Sequence, residues 1–395
     1  MRTALTLLAI LAATSSAAPA QWTLENSNTT ADLRGIHSIG GGVAWASGTN
    51  GTVLRTEDGG YLWQACTVPP GAEKLDFRGI QAFDANTAIV MSSGTGDLSR
   101  LYKTTDGCHS WKLIFTNPYA PDGFFDAILF IDREHGMVLS DPSPVNFNPA
   151  AEYSGDFHLR VTADGGGKWG PVSAPDLPGV LGNGLHPGKG EAAFAASNTS
   201  MATLDGWFWF ATSASRIASR RLYTTAQPPQ FFLQSMYCAG ALDPFSGECG
   251  QPWIDFRNST APINHSSESA GIFSIHFRTA LVGIVVGGDY TKPDEATLTG
   301  AYTSDGGTTW LHAQTTPHGY RSAVACDSTT KTWITVGPNG TDISTDDGKN
   351  WRALHPDPAL REAPDANRNW NALSLPFVVG PHGRIGKLDE AALKH

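Results

Sequence analysis

"YTSDGGTTW", residues 302 to 310, reads as a polar turn closed by a tryptophan, and the chain says nearly the same thing four more times. The other copies are "TEDGGYLW" (56 to 63), "TTDGCHSW" (104 to 111), "TADGGGKW" (162 to 169) and "STDDGKNW" (344 to 351), with Cys108 where a second glycine belongs. The shared pattern is [ST]-x-D-x-G-x-x-W. A polar turn recurring at intervals is the mark of a repeat architecture before it is the mark of a site. Asp58, Asp106, Asp164, Asp305 and Asp346 are placed to accept hydrogen bonds from backbone N–H groups of their own turns. Trp63, Trp111, Trp169, Trp310 and Trp351 are placed to pack between neighbouring sheets, where a large ring stabilises most. Five equivalent turns cannot all be one active site, so these residues are expected to hold structure together.

The steps between the closing tryptophans are 48, 58, 141 and 41 residues. A unit of about 40 to 60 residues has the size of one four-stranded propeller blade. Reading by strands accounts for the wide gap. Seven apolar segments open the units: 33 to 40, 77 to 84, 124 to 132, 191 to 200, 271 to 278, 320 to 327 and 369 to 376. In the fourth unit "RRLYTTAQPP" (220 to 229) stands for the third strand, and an insertion over 230 to 268 replaces the Asp turn. The seventh unit stops after "GRIGKLDEAA", whereas "QWTLENSN" (21 to 28) looks like an outer strand with no inner three. The sequence therefore predicts an all-β chain, one seven-bladed propeller over 21–395, with the N-terminal strand joining the last blade. Closure removes free sheet edges, and a monomer is expected.

Composition narrows the function. Met1-Arg2-Thr3, the apolar run Ala4 to Ala13 and Ala18-Pro19-Ala20 read as a signal peptide over 1–20, and predict an exported protein, periplasmic or secreted. No later run approaches the ~20 apolar residues of a membrane-spanning helix. A net charge of -10 argues against nucleic acid, which needs a basic footprint. Of five cysteines, Cys238 and Cys249 flank a short segment and are the favoured disulfide; Cys66 and Cys108 are a second candidate pair, and Cys326 is left over. The cysteines and the scattered histidines form no metal-ligand spacing, and no phosphate loop, GxSxG or dinucleotide fingerprint is present. No metal and no cofactor are expected.

In a propeller the entrances to the inner strands share one face with the loops joining second to third strands. Aligning the inner strands puts Arg34, Arg78, Asp126, Phe273, Arg321 and Asn371 in one column, with Asn198 as the fourth blade's contribution. Three arginines around one channel mouth suit a carboxylate or phosphate, because guanidinium is a planar fork of donors. The alternative is a solvated lining in which Asp126 offsets the arginines. Asp141, Asp289 and Tyr290 stand at the roots of long loops on the same face and are further ligand candidates, unless they serve as turn residues.

"LRGI", "FFDAILFID...GMVLSDP", "FAASNTS", "GIFSIHF", "VVGGDY", "YRSAVA", "VGPNGTDISTDDGKNW" and "NALS", together with the Asp turns, resemble the photosystem II stability/assembly factor-like family of BNR (Asp-box) propellers. The resemblance covers most of the chain after residue 20, apart from 230 to 268. It implies a non-enzymatic scaffold that binds a protein or peptide, with Arg34, Arg78 and Arg321 as the arginine-rich surface presented to a partner. The second reading is a sialidase-like glycoside hydrolase. Such an enzyme sets three arginines on a carboxylate and uses a Tyr nucleophile with a Glu and an Asp acid, for which Tyr290, Tyr320, Asp126 and Asp141 are the candidates. The sialidase F/Y-R-I-P start is absent, and "LRGI" stands in its place.

Overall fold

A computed structural model describes residues 21–119, 121–143, 156–171, 190–221, 256–358, 362–389 and 393. The segment 1–20, the cysteines 238 and 249, and most of the long loop after Asp141 lie outside these residues.

The described strands form seven four-stranded antiparallel sheets. From the channel outward, blade 1 is Leu33–Gly40, Val43–Gly48, Val53–Thr56 and Gln64–Ala65, and blades 2, 3, 5 and 6 repeat that order. The outer strand of blade 7 is Trp22–Glu25, paired antiparallel with Ile385–Leu388, so the two ends of the chain meet in one sheet. The chain is a seven-bladed β-propeller. Blade 4 departs from expectation in two ways. Its inner strand is Met201–Leu204, and Glu191–Ser200 forms no strand at all. Its third strand, Arg216–Arg221, pairs with an outer strand Phe256–Thr260, so residues 256 to 268 belong to the blade and its exit rather than to an insertion.

Buried side chains gather into seven clusters among the described residues, one at each junction between adjacent blades. Strand alternation explains this: both faces of every sheet meet a neighbouring sheet, so both sets of alternate residues are apolar. The Asp turns put one tryptophan into each of five junctions. Trp63 packs edge-on against Phe377 of blade 7 at 5.4 Å and donates to Glu25 at 2.7 Å. Trp111 donates to the Thr67 carbonyl at 2.9 Å and Trp310 to Ser259 at 3.2 Å. Trp169 stacks on Phe115, and Trp351 is buried with Ile284 and Val286. A ring that removes about 200 Å² from water stabilises by roughly 5 kcal/mol, an upper figure.

The turns themselves share one geometry. In the first, Asp58 accepts from Thr56 Oγ1 at 2.8 Å and from the Leu62 N–H at 3.0 Å, while Gly60 N–H donates to Thr56 Oγ1 at 3.0 Å. Asp106, Asp164, Asp305 and Asp346 repeat it. The fifth position needs a left-handed backbone, and Cys108 adopts it with φ 64°. That conformation costs a non-glycine residue about 1–2 kcal/mol. Here the cysteine is bonded to Cys66 on the end of the blade 1 outer strand, with Cα atoms 5.3 Å apart. The disulfide thus ties blade 1 to blade 2. Cys326 is free, and burial pushes its thiol up to about 12.

Candidate functional site

The inner strands converge on the ring axis, and their starts open on the face opposite the Asp turns. A cavity of about 490 Å³ occupies that mouth. Arg34, Arg78, Phe273, Tyr290, Tyr320 and Asn371 line it, so six of the residues singled out in the sequence are brought together. One side is aromatic: Phe273 meets Tyr320 edge-to-face at 4.7 Å and Tyr290 at 6.1 Å. The opposite side is ionic. Arg78 Nε donates to Asp76 Oδ2 at 2.8 Å, and Arg34 Nε lies 3.6 Å from Asp76 Oδ1 and its Nη2 3.9 Å from Asp32. The Arg34 side chain makes no hydrogen bond among the described residues; its Nε is buried towards Asp76, which leaves the Nη groups to meet a ligand oxygen. The two arginines face two carboxylates, and the mouth offers donors without a strong net field.

Four candidates have other work. Arg321 is 1 % exposed and is spent on Asp342, itself fully buried, with Nε donating at 2.7 Å. Its Nη1 reaches Asn339 and the Tyr320 carbonyl, so the third arginine of the column is a clamp inside blade 6 and not a ligand donor. Asp289 is 1 % exposed and accepts from Ser267, Ser269 and Thr291. Burial pushes its carboxyl up, but these hydrogen bonds outweigh it and hold the group well below its usual range. Asp289 organises a turn. Asn198 brackets blade 3: its Oδ1 accepts from the Ile128 N–H at 2.8 Å and its Nδ2 donates to the Ile128 carbonyl at 3.0 Å. An Asn amide here replaces the strand partner that an inner edge lacks. Asn371, although on the mouth, donates Nδ2 to the Leu33 carbonyl at 2.8 Å.

Asp126 lies beneath the mouth with no exposed surface, and neither of its carboxyl oxygens accepts from a donor among the described residues. Its partner is the carboxyl of Asp141. Two acceptors can meet only with a proton between them. Burial, reinforced by the Asp141 charge, raises Asp126 well above the usual carboxylate range, with Arg78 opposing. Burial pushes Asp141 up to about 6 against hydrogen bonds from the Ala193 N–H and Asp126. The Tyr320 hydroxyl is also pushed up by burial and by Tyr290, the direction opposite to what a tyrosine nucleophile needs.

The segment with the pattern of a fourth inner strand has a different place, which its sequence does not signal. Glu191–Ser200 crosses the channel as a strap that touches four other blades. The Ala193 N–H donates to Asp141 Oδ1 of blade 3 at 2.9 Å, and the Ala195 carbonyl accepts from Arg78 of blade 2 at 3.4 Å. The Phe194 ring stacks on Phe273 of blade 5, centroids 3.7 Å apart and planes 9° apart. Ser197 Oγ donates to the Ser322 carbonyl of blade 6 at 2.7 Å. Ala193 to Ala196 wall the mouth, while Ser197 to Thr199 line a second cavity of about 360 Å³ further along the axis. That inner cavity holds His37 and His276, whose imidazoles burial holds down at about 4 and therefore neutral. Among the described residues no cluster of His, Cys, Asp and Glu could hold a metal ion.

A seven-bladed propeller whose channel is blocked by its own chain, with a ligand-sized cavity left at one mouth, is the class of protein this geometry defines. No family model matches the sequence, and no curated protein does. Solved structures do. YCF48 bound to a D1 peptide is similar at 17 % identity over 94 % of this chain and 99 % of that one, with a TM-score of 0.55. YCF48 from Cyanidioschyzon merolae gives 17 %, 93 % and 98 %, with a TM-score of 0.56. The WD40 propeller domain of Doa1 gives 10 %, 95 % and 99 %, with a TM-score of 0.51. At these identities the likeness is one of fold, and at that level it matches the resemblance to photosystem II stability/assembly factor-like propellers carried by the strand motifs.

Proposed function

We propose that this chain is an exported, non-enzymatic scaffold that captures a peptide segment of a partner protein at the mouth of its channel. The observation that carries the reading is the mouth cavity, with an aromatic wall on one side and the unbonded Nη groups of Arg34 on the other. That pairing suits a peptide, which brings apolar side chains and carbonyl or carboxylate oxygens together. A purely anionic ligand is less well served, because Asp32 and Asp76 already face the two arginines. The likeness in fold to a propeller bound to a D1 peptide supports a peptide partner. The basic and apolar start of the sequence supports export, and so does the Cys66–Cys108 disulfide, which persists in oxidising compartments.

The hydrolase reading is weaker on two counts. Arg321 is buried in an ion pair, and Tyr320 is held in its protonated form. The test uses short linear peptides selected by display on the wild-type protein. Their binding is expected to fall on the Arg34→Ala/Arg78→Ala protein while its unfolding temperature drops by only a few degrees. Peptides that bind both proteins equally would place the site elsewhere. Hydrolysis of a fluorogenic sialoside, lost in Tyr320→Phe, would make the chain an enzyme.

A further inference from the structure

The strap offers a backbone as well as side chains. Among the described residues, the N–H and C=O groups of Phe194 and Ala196 and the N–H of Ala195 make no hydrogen bond, although all three residues line the mouth cavity. Backbone groups of this kind need a partner, and in the free chain only solvent can supply it. We infer that the partner peptide docks as an extended strand alongside Phe194–Ala196 and takes over the groups of Phe194 and Ala196, which share one edge of an extended chain, an inference that rests on the peptide-binding reading above.

Three features support strand addition. Burial alternates residue by residue from Glu191 to Ala196, which is the period of an extended chain and the repeat a paired strand requires. The strap is fixed from both sides of the stretch, by Asp141 at Ala193 and by Ser322 and Ile128 at Ser197 and Asn198. A template already held in place spares the entropy of ordering it on binding. The cavity of about 490 Å³ has room for a few residues of extended chain and none for a folded domain.

Side chains then set which strand fits. Tyr290 is 53 % exposed and meets Phe273 edge-on, so an apolar or aromatic side chain of the peptide finds a surface on that side. Arg34 is placed for a carbonyl or carboxylate oxygen on the other. The occupant is a short extended segment with an apolar residue flanked by a hydrogen-bond acceptor for the guanidinium.

The display-selected peptides also test this. Each backbone nitrogen of one such peptide is methylated in turn, and binding to the full-length exported protein is measured by titration calorimetry. Strand addition predicts a period of two: methylation at every second position weakens binding about tenfold or more, and at the intervening positions hardly at all. Sensitivity to side-chain truncation without that alternation would overturn strand docking and leave peptide capture standing. Peptides whose binding ignores Arg34→Ala/Arg78→Ala would overturn the peptide site itself, and the docking mode with it.

Discussion

The Asp126→Asn substitution tests whether the buried carboxyl pair holds a proton. In the unfolded chain both carboxyls ionise near ~3.9. In the folded chain Asp126 is raised well above that value and Asp141 to about 6. Raised carboxyls make the folded state bind more protons, so the stability they support is complete below the unfolded value and is lost as pH rises. The slope is about 1.4 kcal/mol per pH unit for each proton. From pH 5 to 7 the raised Asp126 carboxyl loses stability in the same sense, along that slope for as long as it keeps its proton in the folded chain. Asp141 titrates near the middle of that window and adds about 1 kcal/mol.

The introduced amide offers Asp141 a donor but cannot titrate, so the Asp126→Asn protein should lose only the Asp141 share, about 1 kcal/mol over the same window, and the wild type should lose more. His37 and His276, held down at about 4, act in the opposite sense between that value and their ordinary one, equally in both proteins. The comparison therefore isolates the pair. Urea unfolding at pH 5, 6 and 7, followed by tryptophan fluorescence, gives the two slopes. An Asp126→Asn protein whose stability falls with pH as steeply as the wild type's would refute the shared proton.

Other expectations follow from single contacts. Cys66→Ser/Cys108→Ser opens a loop of sequence separation 42 and should cost about 4 kcal/mol by loop-closure entropy, read as a lower urea midpoint that a reductant reproduces in the wild type. Arg321→Ala strands the buried Asp342 carboxylate and should destabilise by about 3–5 kcal/mol, whereas Arg34→Ala should cost under about 1 kcal/mol, its ion pairs being long and partly solvated. Equal losses for the two arginines in thermal unfolding would contradict the division between clamp and ligand donor.

The ring was legible because its signals are local. Each Asp turn carries its own acceptor, its own left-handed position and its own tryptophan within eight residues, and the strands around it alternate. The site was legible only as a face. Column position located Arg34 and Arg78 at the mouth, but could not say that Asp342, on another strand of blade 6, claims Arg321. The strap escaped for a related reason. "EAAFAASNTS" alternates as a strand does, yet its partners lie in blades 2, 3, 5 and 6, and no local pattern tells an inner strand from an extended segment crossing the axis. The cysteines were legible only as candidate pairs. A short span favours Cys238 with Cys249, which lie outside the described residues, and no local pattern shows that Cys66 and Cys108, 42 residues apart, come from neighbouring sheets and are bonded.

The pairing of Trp22–Glu25 with Ile385–Leu388 sets an order of events for the chain as it is made. Of the described strands, Trp22–Glu25 emerges before its mate Ile385–Leu388 by the length of the whole ring, and Trp22, whose ring centroid sits 6.0 Å from that of Trp370, has no pocket before then. Contacts of such long sequence separation form late and slowly. Until they form, blade 7 is an open seam that exposes an apolar ring and an unpaired strand edge, the features that make nascent chains stick to one another. A holdase bound to the first residues would therefore guard this protein best if it let go only after the final strand had been delivered.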